Sequence, residues 1–297
     1  MTAGRPMHSE TSKPTIMTNG LPERTSLDIS PEAFETIRKI LKNLKGFNLD
    51  CYKEKCIRRR ISIRIRATHS KTAESYCDLL LNSESELELL LKVLTIHVSQ
   101  FFRNPATFEK LKNDIFPRLF SRCSREGRRE LRIWSVGCAS GEEPYTLALI
   151  LKDTFDAETR GIDVSILATD VDTGTLEAAR TAAYGVDRLA EMSESMKGRY
   201  FDLRESKYHL LPEIKRLVSF RQSDIYDIGG YEASDLILCR NVLIYFERSQ
   251  QERILEGFAD ALPRGGILVL GKSETLVGSS RRRFKTVCPV ERIYQSL

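Results

Sequence analysis

The N-terminal third of the chain carries hydrophobic residues at helical spacing. Residues 1–29 are polar, rich in Thr, Ser, Pro and Gly, and without a hydrophobic period, so we predict a disordered tail there. Ser30, Pro31 and Glu32 predict a helix start with an N-cap, a proline at the first position and an acid. Similar patterns predict further helices over residues 53–67, 72–81 and 84–94. The pattern therefore predicts an all-α domain over residues 30–95.

Further along, a helix is predicted over residues 107–120, and short apolar runs then alternate with helical segments. Four runs have the length and content of buried strands, at residues 133–136, 164–168, 235–238 and 267–270. Strands that alternate with helices indicate a parallel sheet, so the predicted fold class is α/β. Residues 184–219 interrupt the alternation and predict a small inserted β-subdomain. The last residues, from 284 to 294, predict a β-hairpin.

Residues 131–145, LRIWSVGCASGEEPY, pass from a predicted strand through a glycine turn into a predicted helix. This arrangement presents a nucleotide-like ligand at the carboxyl edge of an α/β sheet. Ser140 is the predicted N-cap, and Glu142 and Glu143 place negative charge in the first turn. Two carboxylates there would repel a pyrophosphate but suit the positive charges of S-adenosylmethionine. Taken alone, the stretch also fits a strand-to-helix turn that binds nothing.

Polar residues follow two other predicted strands. Asp170 ends the second strand, 33 residues after Gly137, where an acid accepts hydrogen bonds from ribose hydroxyls in nucleotide-binding folds. Asp172, close by, is better placed to cap the helix that follows. Arg240 and Asn241 end a later strand and belong to the same edge of the sheet. Together these residues favour a nucleoside-containing ligand over an unliganded turn.

Composition narrows the class of protein. The chain has 297 residues, of which 41% are hydrophobic and 29% charged, as in soluble globular proteins with full cores. No apolar run approaches the ~20 residues that span a bilayer, and the N-terminus has no hydrophobic signal core, so we expect a cytoplasmic protein without membrane insertion. Seven scattered cysteines and four distant histidines argue against a disulfide framework or a metal site. Nothing in the sequence demands an oligomer, and we expect a monomer.

The net charge of +5 is unevenly distributed along the chain. Between Lys53 and Arg66 there are seven basic residues and one acid, Glu54. Such a local patch indicates an acidic partner surface rather than nucleic acid, for which a more widely basic protein is expected. A solvated helix face is the alternative interpretation of the same residues.

Six motifs in order make the chain resemble the CheR family, the chemotaxis receptor glutamate methyltransferases, from about residue 31 to 297. They are R-I-x-x-R-I-R at residues 60–66, TIHVSQFFR, WSVGCASGEEPY, ATDVDTGTL, LCRNVLIYF and GKSE at residues 271–274. The resemblance implies a class I S-adenosylmethionine-dependent methyltransferase: a Rossmann-like sheet with a terminal β-hairpin and the inserted β-subdomain, in a catalytic domain over residues 96–297. It also implies S-adenosylmethionine as cofactor and S-adenosylhomocysteine as product.

The functional residues of that family carry over onto matching positions. For cofactor binding the resemblance implies His97, Ser99, Arg103, Gly137, Glu143, Asp170, Asp224, Ile225, Arg240 and Asn241. Arg103 and Tyr245 would face the transferring methyl group as catalytic residues. The family commonly has Asn and Thr where this chain has His97 and Ser99. The serine keeps a hydroxyl, and the histidine can still donate a hydrogen bond.

The implied reaction needs no general base. A glutamate side chain has a reference pKa near ~4.3 and is ionised at neutral pH, so the enzyme has to orient the carboxylate and exclude water. Arg103 is expected to align this carboxylate, and the Tyr245 hydroxyl to form a hydrogen bond near the reacting centre. In the glycine turn, Glu143 is expected to contact the cofactor, whereas Glu142 serves the helix terminus.

The resemblance implies the cytoplasmic domains of methyl-accepting chemotaxis receptors as partners. Arg60, Arg64 and Arg66 would form the receptor-docking surface against acidic methylation helices. In some family members the inserted β-subdomain docks a pentapeptide at the receptor C-terminus. Here the loop around residues 204–211 is shorter and lacks the glycines of those members, so we predict no dependence on a pentapeptide.

Two other functions are left open by the sequence. A methyltransferase of a small molecule or RNA would share the cofactor edge, but it would not require a basic helix placed to meet a protein. A non-catalytic adaptor would keep the fold in order to bind receptors. The presence of Arg103, Glu143, Asp170 and Tyr245 together favours an enzyme over the adaptor.

Overall fold

A computed structural model of the protein describes residues 29–95 and 99–297. The predicted N-terminal tail, apart from Ile29, lies outside the described residues, and so does the candidate cofactor ligand His97. Ile29 itself is buried in the hydrophobic core of the N-terminal helices.

Within residues 29–95 there are four helices: α1 (Pro31–Lys45), α2 (Glu54–Ala67), α3 (Ala73–Asn82) and α4 (Glu84–Thr95). The predicted start of α1 is confirmed, because the Ser30 hydroxyl accepts a hydrogen bond from the Ala33 amide at 3.1 Å and Pro31 lies in the first turn. Apolar residues spaced three and four apart on the four helices meet in one core, among them Ile37 and Ile61.

The helical segment predicted at 107–120 is longer and interrupted. It comprises α5 (Pro105–Lys110), a π-helical turn (Leu111–Ile115) and α6 (Phe116–Arg125). Within the wider turn the Phe116 amide donates to the Leu111 carbonyl, five residues earlier. Pro117 follows directly and has no amide hydrogen for the normal α-helical bond. A periodicity of apolar residues does not report such a local change of pitch.

Ten strands are present in the described part of the chain: β1 (Glu130–Val136), β2 (Asp163–Asp170), β3 (Ala183–Tyr184), β4 (Phe201–Arg204), β5 (Lys207–Leu210), β6 (Val218–Gln222), β7 (Leu236–Cys239), β8 (Ile267–Leu270), β9 (Phe284–Cys288) and β10 (Ile293–Ser296). Seven form the main sheet in the order β6-β2-β1-β7-β8-β10-β9. The first five strands of this order, from β6 to β8, are parallel to one another. Strand β10 is antiparallel to both of its neighbours, β8 and β9. The predicted parallel sheet and terminal β-hairpin are confirmed.

The main sheet is covered on both faces. In β1, Leu131 and Ile133 point into one core, whereas Trp134 and Val136 point into the other, as the two-residue period of a strand requires. The helices after β1 are α7 (Glu142–Thr154), α8 (Asp156–Thr159), α9 (Thr173–Thr181), α10 (Glu194–Tyr200), α11 (Pro212–Lys215) and α12 (Arg248–Ala261).

The inserted segment between α9 and β6 contains the second sheet, in the order β3-β5-β4. Strands β4 and β5 are joined by Glu205 and Ser206, both with positive φ, which is the geometry of a tight two-residue hairpin. The small sheet is attached to the larger core by Phe101, whose ring meets those of Tyr184 and Phe201 edge-on at 4.9 and 5.4 Å.

Asp235, just before β7, anchors the edge of the sheet opposite to the carboxyl ends of the strands. Its fully buried carboxylate accepts hydrogen bonds from Arg122 at 2.6 Å, from Arg128 at 2.7 and 2.8 Å, and from the Arg132 amide at 3.0 Å. Burial alone raises the pKa of this carboxyl, but the Arg128 hydrogen bond and the other cationic partners outweigh it, so the pKa lies below its ordinary value.

The segment before α2 joins the N-terminal helices to the α/β part. Tyr52 and Phe246 form an isolated antiparallel bridge, and their rings lie 4.8 Å apart. The Glu247 amide donates to the Cys51 carbonyl at 3.2 Å, and the Lys53 amide donates to the Tyr245 carbonyl at 2.9 Å. This junction is next to the carboxyl end of β7. Among the described residues, no helix is long and apolar enough to cross a membrane.

Candidate functional site

The carboxyl ends of the parallel strands meet at one edge of the sheet. Strand pairing places Val136 of β1 level with Thr169 of β2 and Cys239 of β7, and Cys239 level with Leu270 of β8. The strand order places β2 and β6 on one side of β1, and β7 and β8 on the other. The sheet therefore has a topological switch point between β1 and β7, which leaves a crevice for a ligand. A cavity lies at this position, between the strand ends and the N-terminal helices.

This cavity brings together the residues that the sequence singled out. Those that line it are Ser99, Arg103, Gly137, Glu143, Asp170, Asp224, Ile225, Arg240, Asn241 and Tyr245. They come from the segment before α5, from the start of α7 and from the carboxyl ends of β1, β2, β6 and β7 with the 3-10 turn after β7. Tyr52 and Leu94 of the N-terminal part also line the cavity. The motifs are therefore neighbours in space, although their individual roles stay predictions.

The glycine turn after β1 packs closely against Val242, and this contact leaves no space for a side chain at Gly137. Gly137 has a φ of +66°, and a Cβ atom added there would lie 2.5 Å from Val242 Cγ2. The prediction that Ser140 caps α7 is wrong. The N-cap is Gly141, which has a φ of +90° and no side chain to donate or accept. The Ser140 carbonyl instead accepts a hydrogen bond from the Tyr184 hydroxyl at 2.8 Å, which ties the turn to the inserted segment.

The two glutamates of the turn point in different directions. Glu143 lines the cavity, where its carboxylate accepts hydrogen bonds from the Ser135 hydroxyl at 2.8 Å and from Arg240 at 3.0 Å. Glu142 is 0% exposed and forms an ion pair with Arg188 of the inserted segment at 3.2 Å. The expectation that Glu142 merely serves the helix terminus is incomplete, because its side chain also holds the insert against the turn.

Asp170 is a buried carboxylate whose direction is set by the backbone. It accepts hydrogen bonds from the Ala139 amide at 2.9 Å and from the Asp172 amide at 3.1 Å. Asp172 in turn accepts bonds from the Gly174 and Thr175 amides, which confirms its predicted role as the cap of α9. Asp170 is therefore a fixed acceptor at the end of β2.

Arg240 is the link between three parts of the site. Besides its bond to Glu143, it donates to the Arg103 carbonyl at 2.7 Å and to the Asn104 side chain at 2.9 Å, and its guanidinium lies 5.1 Å from the centre of the Phe108 ring. Its side chain is 2% exposed. These contacts show an arginine that holds Glu143 and the backbone of Arg103 in place.

Glu274 is a functional candidate that sequence reasoning missed. Its buried carboxylate accepts four backbone hydrogen bonds, from Gly271 at 2.6 Å, Val242 at 2.9 Å, Asn241 at 3.0 Å and Ile244 at 3.3 Å. Burial raises the pKa of this carboxyl, although the backbone donors act in the opposite direction. The available signal was the GKSE motif, which directly follows the apolar β8 and ends in this acid.

Two further predicted residues lie at the rim of the cavity by β6. Asp224 is exposed and accepts a hydrogen bond from the Tyr226 amide at 3.0 Å, and Ile225 is half-buried beside it. Arg103, which also lines the cavity, is half-buried, and its amide donates to the Gln100 carbonyl at 3.3 Å. The lining of the cavity therefore includes carboxylate, apolar and guanidinium side chains.

The structure corrects the proposed docking arginines of α2. Arg60 is 7% exposed and donates to the Leu94 carbonyl, so it faces inward. Arg64 forms a largely buried ion pair with Glu86. Arg66 is exposed, as predicted. With about 100° of rotation per residue, positions 60 and 64 lie beside the core stripe of the helix, and sequence alone did not show how far that stripe extends.

A different set of α2 residues forms its outer face. Lys55, Arg59 and Ile63 are exposed together with Arg66, and all four project opposite to the buried Ile61. Over the described ranges, no group of three or more His, Cys, Asp or Glu side chains is arranged to hold a metal ion.

The sheet order, the glycine turn at the switch point and the buried acid at the end of β2 define a class I S-adenosylmethionine-dependent methyltransferase. Comparison with known proteins gives the particular family. The family model described as CheR methyltransferase, SAM binding domain, matches residues 97–291, and that of the CheR all-alpha domain matches residues 32–95. The chain belongs to the CheR family of chemotaxis protein methyltransferases, which are protein-glutamate O-methyltransferases.

Curated relatives match over most of their length. The chain is 32% identical over 265 residues to the chemotaxis protein methyltransferase of Borreliella burgdorferi, covering 87% of this chain and 93% of the relative. It is 34% identical over 239 residues to that of Listeria innocua, covering 80% and 88%. It is 33% identical over 259 residues to chemotaxis protein methyltransferase 2 of Pseudomonas aeruginosa, covering 84% and 88%.

The residues present fit S-adenosylmethionine. Gly137 lines the cavity in a turn packed too closely against Val242 to admit a Cβ, and the fixed carboxylate of Asp170 matches ribose hydroxyls. Glu143 adds negative charge on the cavity wall, which complements the amino group of the cofactor, while Arg240 keeps that carboxylate in one orientation.

Proposed function

We propose that this protein methylates glutamate carboxylates of chemotaxis receptors, giving neutral methyl esters that adjust signalling. One observation carries the proposal. Arg103 and Tyr245, the candidate residues for the acceptor, line the same cavity as Gly137, Glu143 and Asp170, the candidate residues for the cofactor. Acceptor and donor groups would therefore meet in one place beside the N-terminal helices.

The residues predicted to bind the cofactor have separate proposed parts in holding it. Asp170 accepts from the ribose, Asp224 and Ile225 border the adenine, and Glu143 accepts from the amino group. Arg240 keeps Glu143 in place, while Ser99, Asn241 and His97 complete the set by resemblance to the family. When bound, S-adenosylmethionine supplies a methyl group that is bonded to a positively charged sulfur. A carboxylate can attack the carbon of this methyl group without prior activation.

The protein's contribution to the reaction is orientation. Arg103 aligns the ionised carboxylate of the receptor glutamate, and the Tyr245 hydroxyl donates a hydrogen bond near the reacting oxygen. As the new oxygen–carbon bond forms, the carbon–sulfur bond breaks, its electron pair stays on sulfur, and no proton has to move. Such positioning can supply about 7–11 kcal/mol of a barrier in favourable cases.

The receptor surface is met by the outer face of α2. Lys55, Arg59 and Arg66 give it positive charge, and Ile63, which is 48% exposed, gives it an apolar contact. The acidic methylation helices of a receptor complement both. This assignment replaces Arg60 and Arg64, whose side chains are occupied inside the protein.

Docking does not depend on a receptor pentapeptide in this proposal. The tight turn at Glu205 and Ser206 leaves no loop between β4 and β5 that could close over a bound peptide. We expect no heat of binding when the isolated pentapeptide is titrated into the protein. Strong binding of the peptide would contradict this part of the proposal and leave the methyltransferase activity untouched.

We also propose that the enzyme acts as a monomer in the cytoplasm, where the receptor methylation helices lie. Light scattering of the purified protein is expected to give a mass near the 33.9 kDa of the chain. A dimer that persists on dilution would contradict this.

The direct test is transfer of a radiolabelled methyl group to a purified receptor. We expect label that alkali releases as methanol, which distinguishes a carboxyl ester from methylated nitrogen or RNA. A receptor with glutamine at its methylated positions is the control and should take up no label. Calorimetry with S-adenosylhomocysteine separates the enzyme from a non-catalytic adaptor, because an adaptor that has lost its cofactor site would give no binding.

A further inference from the structure

The loop that carries Tyr245 is held by the N-terminal helices. Tyr245 ends a single 3-10 turn, Leu243–Tyr245, at the carboxyl end of β7. The Lys53 amide donates to the Tyr245 carbonyl at 2.9 Å, and the Lys53 ammonium donates to the Ile244 carbonyl at 2.8 Å. Two bonds from one residue therefore fix the backbone of this turn from outside the α/β part.

The ring of Tyr245 is held by Arg60 of α2, the helix that begins directly after Lys53. The Arg60 guanidinium lies 4.5 Å from the centre of the Tyr245 ring. At this distance a cation is attracted to the negative face of the ring, more strongly where water is excluded. Arg60 is 7% exposed, so the contact is shielded from solvent.

Arg60 is itself fixed by the end of α4. Its Nη1 donates to the carbonyl of Leu94, in the last turn of that helix, where carbonyl oxygens carry the negative end of the helix dipole. A planar guanidinium can stack on a ring and donate in its own plane at the same time, which the ammonium of a lysine cannot reproduce. Leu94 also lines the cavity. The chain of contacts runs from α4 through Arg60 to Tyr245.

We propose that Arg60 is a positioning residue for methyl transfer, which sets the ring orientation of Tyr245 over the cavity. The N-terminal helices would then complete the active site as well as bind the receptor. The proposal rests on the function proposed above, in which the Tyr245 hydroxyl acts near the reacting carboxylate. It also gives a reason for a buried arginine on a helix whose other face is solvent-exposed and basic.

Steady-state kinetics on the full-length enzyme with purified receptor tests this assignment. Arg60→Gln is expected to lower kcat about tenfold, the effect of ~1.4 kcal/mol in the transition state, with the receptor KM within twofold of wild type. Arg59→Gln, on the outer face, is the contrasting variant and should act on the receptor KM. Lys39→Gln, which removes an exposed cation from α1, is the control for charge and should match wild type.

A double-mutant cycle with Tyr245→Phe separates positioning from a general loss of packing. If Arg60 acts through the tyrosine hydroxyl, Arg60→Gln should change kcat less than twofold in the Tyr245→Phe background. An equal tenfold loss in both backgrounds would overturn the proposal. So would an Arg60→Gln enzyme with unchanged kcat and a raised receptor KM, which would return Arg60 to docking.

Two further measurements keep the proposal testable if Arg60→Gln folds poorly or if the receptor proves to be the wrong substrate. Arg60→Lys keeps the buried charge and should still lower kcat at least threefold while S-adenosylhomocysteine affinity stays at the wild-type level. The NMR signal of ¹³C-labelled Tyr245, identified by its loss in Tyr245→Phe, should shift in Arg60→Lys without any substrate. No shift and no change in kcat would refute the positioning role, whereas absent turnover by wild type with a shifted signal would refute only the receptor function.

Discussion

Arg240 and Glu143 join the end of β7 to the start of α7 through a hydrogen-bonded ion pair of 3.0 Å, and both side chains line the cavity at the switch point. The pair holds the carboxylate toward the cavity, and its position at the switch point places charge where the cofactor's amino group is proposed to bind. Glu142, the adjacent residue, is paired with Arg188 and does not line the cavity.

Glu143→Gln should therefore weaken S-adenosylhomocysteine binding about 10- to 100-fold, since a charge-assisted hydrogen bond contributes about 1.5–3 kcal/mol. Calorimetry measures the loss. Glu142→Gln is the matched control: it should lower the melting temperature by breaking a buried ion pair, but keep the dissociation constant within twofold. Equal loss of affinity in both variants would contradict the separate roles of the two glutamates.

Gly137→Ala should abolish detectable cofactor binding, because the new Cβ would lie 2.5 Å from Val242 Cγ2. Gly127→Ala controls for backbone strain, since Gly127 has nearly the same φ, +63°, with nothing within 4 Å of an added Cβ. Gly127→Ala should lose only stability, by about 1–2 kcal/mol. Val242→Ala in the Gly137→Ala background should restore part of the binding, and failure to do so would argue against the steric cause.

Glu274→Gln should destabilise the loop that carries Asn241 and Tyr245. Both carboxylate oxygens accept backbone N–H groups, and an amide nitrogen in place of one oxygen cannot accept them. We expect a loss of about 1–3 kcal/mol in the free energy of unfolding, together with weaker S-adenosylhomocysteine binding. Ser273 is exposed in the turn that carries Glu274. Ser273→Ala should change neither the free energy of unfolding nor the affinity for S-adenosylhomocysteine. Wild-type affinity in Glu274→Gln would show that the loop does not need this carboxylate.

The buried carboxylate of Asp235 should make the stability of the folded protein depend on pH in the acid range. Its pKa is lowered in the folded protein, so its contribution to stability is complete above the unfolded pKa of about 3.9 and is lost as the pH falls through the folded pKa. Asp235→Asn should cost about 3–5 kcal/mol at neutral pH by leaving buried arginines without their carboxylate. Urea unfolding at several pH values should show this difference narrowing below about pH 4. Asp163→Asn, exposed at the start of β2, should show no such difference.

Charge reversal on the outer face of α2 should weaken receptor binding. For Arg59→Glu with Arg66→Glu we expect the receptor KM to rise about tenfold at low salt, and the increase to shrink at high salt as exposed charges are screened. S-adenosylhomocysteine affinity should not change. Lys39→Glu, on α1, reverses an equally exposed charge away from α2 and should leave the receptor KM unaltered. An unchanged KM in the double variant would remove this face from the docking surface.

Much of the fold followed from local patterns. The capped start of α1, the strand-and-helix alternation after Leu131 and the terminal hairpin are each determined by residues close together in sequence. The candidate site was also predictable, because parallel strands place their carboxyl ends at one edge whatever lies between them. For this reason Gly137, Asp170 and Arg240 could be grouped before their contacts were known.

Contacts between distant parts of the chain decided the rest. The direction of Arg60 depends on Leu94 and Tyr245, the use of Glu142 depends on Arg188, and the role of Glu274 depends on amides some thirty residues earlier. The seven basic residues between Lys53 and Arg66 were enough to predict a charged helix. Which of them face the solvent was determined only by the packing of α2 against α4 and the loop after β7. Hydrophobic periodicity and helix capping depend on residues a few positions apart, so the local sequence determines them. The partner of a buried charge is the polar group that folding brings within hydrogen-bond distance, so only the tertiary structure determines it.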